Sequence, residues 1–269
     1  MTHPLGDARN QQCGRIIDMR YEAVGVLVFV VACVPNGPAS SSDAGTAAAP
    51  RPRASAAPIV ANRPAAAPSP PSIPLGNGFE DNFERAALGA DWRITSGGDW
   101  RIEAGRLCVK GAHNHGAWLA RTLPTNVRIE FDAVSSSPEG DIKTEVFGDG
   151  TSGASGVSYN DATSYLTIFG GWKNSVHVLA RLNEHAPDRP EIRITPGSDD
   201  ERARPVSPGQ VYHFKIERND GKTLMWWVGD MLMFKFTDRE PLSGPGHDHF
   251  GFNDWEVPVC FDNVKVTAL

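Results

Sequence analysis

The chain has 269 residues and a formal net charge of -6, from 26 Lys+Arg against 32 Asp+Glu. With mild acidity and no cluster of Lys or Arg, it lacks the electrostatic footprint of a nucleic-acid-binding protein. Its 27 glycines, 21 prolines and seven tryptophans suit an all-β domain rich in turns, and the length allows one large domain with tails.

The N-terminus reads as an address. From Ala23 to Ala32 ten residues are apolar or small, too few to span a bilayer but suited to the apolar region of a signal peptide. Arg15 and Arg20 precede this run, and Met19 is an alternative start. Cys33 follows it directly, and Val30-Val31-Ala32-Cys33 resembles a bacterial lipobox. That resemblance implies a signal peptide over residues 1–33, with lipidation of Cys33 as the mature N-terminus. The protein is then an exported cell-envelope lipoprotein that meets the membrane through its lipid anchor only. Val34, in place of the Asp associated with inner-membrane retention, points to the outer membrane.

Residues 34–77 are rich in Ala, Pro and Ser. So few large apolar side chains cannot offset the entropy of ordering the chain, so the expectation is a disordered linker.

From Gly78 to Leu269 short alternating runs are separated by turns. Trp100, Ile102 and Leu107, Val109 flank the turn Glu103-Ala104-Gly105. Val127, Ile129, Phe131 and Ala133 alternate with charged residues, the pattern of a half-buried strand. Ile142–Phe147, Tyr165–Phe169 and Val176–Leu182 follow, and Tyr212, Phe214 and Ile216 alternate in the same way. Leu224–Val228 and Met231–Phe236 form a hairpin around Gly229-Asp230. Near the end, Val257, Val259 and Phe261 share one strand face. About a dozen strands without an amphipathic helix predict an antiparallel sandwich or barrel.

Several of these elements, in this order, resemble the concanavalin A-like lectin/glucanase superfamily across residues 78–269. They are Asp81-Asn82-Phe83, the spaced Trp92, Gly98-Asp99-Trp100 with Gly105-Arg106-Leu107, the Gly229-Asp230 hairpin, and the closing Val259-Cys260-Phe261-Asp262-Asn263-Val264. The resemblance implies a jelly-roll β-sandwich whose concave face commonly binds or cleaves carbohydrate. Laminarinase-type members carry two glutamates around an Asp on one strand. Here Glu130-Phe131-Asp132 is followed by Ala133-Val134-Ser135, so the second glutamate is absent and that glucanase chemistry is not expected. Glu130 and Asp132 fit the solvent face of their strand. The superfamily also implies a structural Ca²⁺, for which Asp81 and Asp262 are the acidic residues that neighbouring first and last strands would bring close; a local turn bond at Asp262-Asn263 fits equally. No other cofactor is expected.

Cys108 and Cys260 are the two cysteines of the domain. In an exported protein a disulfide closing a loop of about 150 residues and two buried thiols both remain open.

Two stretches carry the residue types a sugar site needs, an aromatic plane and planar polar groups. The first supplies Trp172, Asn174, Arg181, Glu184 and His185, after a Gly170-Gly171 bend. The second supplies His249, Asn253, Trp255 and Glu256. His113-Asn114-His115 and His247-Asp248-His249 lack the spacing of a metal site and read as satisfied or exposed histidines. In Trp226-Trp227, alternation puts one ring in the core and the other on a sheet face. The expected ligand is a polysaccharide or glycoconjugate. The alternatives are a glycan hydrolase or lyase using Glu184 or Glu256, with His185 or His249, and a structural or protein-binding lipoprotein.

Overall fold

The computed structural model describes residues 73–269. The expected signal peptide, Cys33 and most of the expected linker lie outside the described residues.

In chain order the strands are β1 (Ile73–Pro74), β2 (Gly78–Asp81), β3 (Trp92–Ile94), β4 (Arg101–Glu103), β5 (Arg106–Val109), β6 (Ala117–Leu119) and β7 (Arg121–Thr122). Then come β8 (Val127–Ser135), β9 (Ile142–Gly148), β10 (Tyr165–Gly170), β11 (Val176–Arg181), β12 (Glu191–Arg193), β13 (Val211–Arg218), β14 (Thr223–Val228), β15 (Met231–Thr237), β16 (His249–Asn253) and β17 (Val259–Ala268). The fold is an all-β sandwich of two antiparallel sheets. One runs β12-β11-β10-β9-β16-β6-β3; the other runs β15-β14-β13-β8-β17-β5-β4, with β2 also paired to β17. Ahead of Gly78, β1 pairs with β7 in a separate two-stranded sheet, and Leu75 is buried.

Alternation dictates which side chains meet between the sheets. Phe131 and Phe214, from β8 and β13, stack with ring centres 4.9 Å apart. Phe252 of β16 stacks on Phe261 of β17 at 4.0 Å, joining one sheet to the other. Trp226 is fully buried among them, while Trp227 faces outward with the Lys215 amine 4.2 Å from its ring centre. Cys108 and Cys260 lie directly opposite each other on β5 and β17 and form a disulfide.

The stretch His247–Val266 is two strands, one in each sheet. Residues 254–258 carry the chain across, and Pro258, which has no N–H for a ladder, stands just ahead of β17.

On the seven-stranded sheet, Ile142 and Val146 of β9 face the core, so Lys143 and Glu145 project from the opposite face. That face is largely covered. The segment of residues 149–164 folds over it, and Ala154, Tyr159 and Ala162 pack on Leu166, Ile168, Val178 and Ala180 as a second apolar cluster. The open sheet face expected for a ligand is thereby reduced to a cleft beside this covering segment.

Candidate functional site

The cleft encloses about 330 Å³. Trp172, Glu184, His185, Trp255 and Glu256 line it, together with Asn114, Glu139, Asp141, Lys143, Val157 and Lys173. The two separate stretches singled out in the sequence therefore meet at one place.

Trp172 is presented by a left-handed turn. Gly170 has φ 77°, and Trp172, Lys173 and Asn174 have φ 49°, 59° and 59°. Each non-glycine residue there costs about 1–2 kcal/mol, so the turn must be held from outside. The Asn174 side chain holds it, donating to Pro138 O at 3.0 Å and Val206 O at 2.8 Å and accepting from Val206 N at 2.9 Å. A Cβ on Gly170 would lie 2.5 Å from Val206 Cγ2, and one on Gly140 would lie 2.6 Å from Gly170 O, so both positions require glycine. His177 adds a tie: its Nδ1 accepts from Gly170 N at 3.0 Å, which leaves Nε2 to donate to Arg204 O at 3.0 Å. Burial pushes that imidazole down to about 4, so it stays neutral and keeps this tautomer at physiological pH. The Trp172 ring is backed by the Arg189 guanidinium, 4.6 Å from its centre, and by the edge of His185 at 5.6 Å. It remains 37% exposed.

Trp255 borders the same cleft. Its ring stacks on His113 at 4.8 Å, and its carbonyl accepts from His113 N at 3.0 Å.

The floor is polar and buried. The Lys143 amine donates to Asn114 Oδ1 at 2.7 Å and to Glu184 Oε2 at 3.1 Å. Burial opposes its charge, but Glu184 and Asp141 outweigh that and hold the amine above the ordinary lysine value. Asp141 is pushed up from the usual carboxylate range by burial, against the pull of Lys143. Behind the floor, Glu145 accepts from Ser164 Oγ at 2.6 Å, Asn253 Nδ2 at 2.6 Å and Tyr159 OH at 3.0 Å. Burial raises Glu145 to about 7 in spite of these donors, and burial with Asp141 nearby raises Asp254 to about 7.

These two carboxyls predict a pH dependence. A carboxyl whose folded pKa exceeds its unfolded value holds its proton more tightly in the native state. Stability is therefore expected to fall as pH rises from the ordinary carboxylate value to about 7, by up to about 1.4 kcal/mol per pH unit for each group. Urea denaturation of Glu145→Gln should show a shallower slope over this window than the unmodified chain. Equal slopes would mean that Glu145 does not titrate there.

Four residues expected in the site lie elsewhere. Asn174 is occupied in holding the Trp172 turn. Arg181 shares the core-facing side of β11 with His177 and Leu179, because period two carries it away from the cleft. There it donates to Asp238 Oδ2 at 2.7 Å and to Glu240 O at 2.8 Å. Asn253 is fully buried on Glu145. His249 is buried under Gly150, with Nδ1 2.7 Å from the Asp248 carboxylate. Of the acid–base residues suggested by sequence, Glu184, His185 and Glu256 line the cleft, Glu184 3.1 Å from the Lys143 amine and Glu256 3.7 Å from His113, while His249 lies outside it.

Asp81 and Asp262 both engage protein partners. Asp81 Oδ1 accepts from Phe83 N and Arg85 Nη1, and Oδ2 from Arg85 Nη2 and Trp92 Nε1, which fills its lone pairs. Asp262 accepts from Asn263 N at 2.7 Å and lies 3.8 Å from Arg106. Among the described residues no group of three or more His, Cys, Asp or Glu could hold a metal. Glu130 and Asp132 lie on the outward side of β8, where Asp132 engages His213 at 2.8 Å and Asn263 at 2.9 Å.

Asn114, Asp141 and Lys143 were not anticipated as site residues. For Asp141 and Lys143 the signal was the alternation Asp141-Ile142-Lys143-Thr144-Glu145, which puts charges at every second position; Asn114, in the loop ahead of β6, had none.

Comparison with solved structures gives the fold its name. The carbohydrate binding module CBM66 from Bacillus subtilis superposes with a TM-score of 0.50 at 15% identity, covering 68% of this chain and 98% of the module. The fold is a concanavalin A-like jelly roll. The laminarinase from Rhodothermus marinus (TM-score 0.47, 14% identity, 71% of this chain and 96% of that one) and the Emp47p carbohydrate recognition domain (0.48, 11%, 71% and 95%) are also similar. No family model and no curated sequence matches the chain. In this jelly roll the cleft is built by loops and by the covering segment at the outward face of the seven-stranded sheet.

Proposed function

We propose that this protein is an exported, lipid-anchored envelope protein whose jelly roll binds a saccharide in the cleft bordered by Trp172 and Trp255. One observation carries the reading: two tryptophan rings from distant stretches flank a single cleft whose floor is a fixed set of amide, carboxylate and amine groups. Tryptophan faces suit the apolar C–H face of a sugar ring, and planar polar groups suit its hydroxyls. The strained turn under Trp172, tied down by Asn174, supports a preorganised contact rather than a random exposed ring. The Cys108–Cys260 disulfide suits the oxidising surroundings that the lipobox at Cys33 implies.

The test is calorimetric titration of the full chain with oligosaccharides. Trp172→Ala and Trp255→Ala should each lower affinity by about tenfold or more, with unfolding midpoints little changed for Trp172, which is partly exposed. Affinity unaltered in both variants would remove the cleft from the binding site.

A further inference from the structure

We infer that the saccharide taken by this cleft carries a free amino group, seated on Asp141 between the two tryptophan-lined walls. The inference rests on the saccharide-binding reading above and narrows it to a ligand class.

The cleft has more acid than base to offer. Lys143 is its buried cation, and its amine is already shared between Glu184 and Asn114. Lys173 is highly exposed and lies 4.0 Å from Glu139. Asp141 is the carboxylate left over. It is 9% exposed yet lines the cleft. One of its oxygens receives a long 3.3 Å bond from Trp255 N, and the other receives no hydrogen bond among the described residues. A carboxylate on a cleft-lining residue with one oxygen free of protein donors can accept a hydrogen bond from the ligand.

An ammonium answers that demand more strongly than a hydroxyl, because a charge-assisted hydrogen bond is shorter and stronger. The walls favour the same group, since an indole face attracts a cation, as Trp172 already does with Arg189 at 4.6 Å. A uronate or sulfated sugar would bring its anion against Asp141, where the buried cation, Lys143, is already shared between Glu184 and Asn114. The site thus selects amino sugars over both neutral and acidic ones.

The experiment compares three tetrasaccharides on the full chain by calorimetry at about pH 6, where a sugar amine is protonated. They are a glucosamine oligomer, its N-acetylated counterpart and a galacturonate oligomer. The glucosamine oligomer should bind at least about tenfold more tightly than the acetylated one, and the galacturonate should not bind. Asp141→Asn should erase that preference. Asparagine tolerates the left-handed backbone at this position, φ 61°, and removes only the charge. If that variant fails to fold, the ratio measured on the unmodified chain decides alone. Equal or tighter binding of the acetylated or galacturonate oligomer, or a preference that survives Asp141→Asn, overturns the amino-sugar inference and leaves the saccharide site standing. Absence of binding by every oligosaccharide of a broad panel overturns both.

Discussion

Lys143→Met is expected to lower the folding free energy by about 3–5 kcal/mol, the cost of removing one partner from a buried ion pair. The Lys143 side chain is 1% exposed, and two partners depend on its amine. Without it, Glu184 is left buried and unpaired, Asn114 Oδ1 loses its donor at 2.7 Å, and Asp141 loses its one nearby cation. Methionine fills nearly the same volume, so the loss reads out charge rather than a cavity. For a domain of this size the unfolding temperature should drop by roughly 10 °C. Adding Glu184→Gln should recover part of the loss, because the second substitution removes the stranded charge. A Lys143→Met cost below about 1 kcal/mol would show that the floor is solvated, and the buried network described here would not stand.

Loss of the Cys108–Cys260 disulfide should cost about 2–5 kcal/mol. The bond spans 152 residues, so the unfolded chain loses much of its freedom when it is closed. It also joins β5 to β17, and β17 is the strand that pairs with β8, β5 and β2. Urea unfolding of the double variant Cys108→Ala/Cys260→Ala should show this loss. Reductant should lower the midpoint of the unmodified chain to a similar extent and leave the double variant unchanged. A double variant as stable as the unmodified chain would mean that the sheet alone holds these strands.

Much of the fold was legible because it rests on local period and turn chemistry. The Gly229-Asp230 hairpin, the alternation from Val127 to Ala133 and the Glu103–Gly105 turn each need only neighbouring residues to be recognised. The site was legible in part for the same reason. Trp172 follows a Gly-Gly bend, and Trp255 stands in a stretch crowded with polar groups, so both fit the aromatic plane that a sugar site needs. Arg181 and Glu184 are only three residues apart, yet β11 ends between them. Arg181 still obeys strand alternation, whereas Leu182, at φ 60°, turns the chain before Glu184. Lys143 and Glu145 were hidden for a different reason. On a half-covered sheet such residues face water, and alternation alone says no more. Their burial depends on residues 149–164 folding back to seat Tyr159 on Glu145, a non-local event with no period to announce it. Asp141 shares that obscurity, and it is the residue on which ligand class is proposed to turn.

The central claim is that the cleft between Trp172 and Trp255 is a saccharide site. Glycan-array binding by the full chain, with Trp172→Ala on a parallel array, tests it most directly. The account predicts retention on a defined set of glycans, richest in those with free amino groups, and loss of that signal in the variant at unchanged fold. Retention of the same glycans by Trp172→Ala, or a blank array for the unmodified chain, would contradict it.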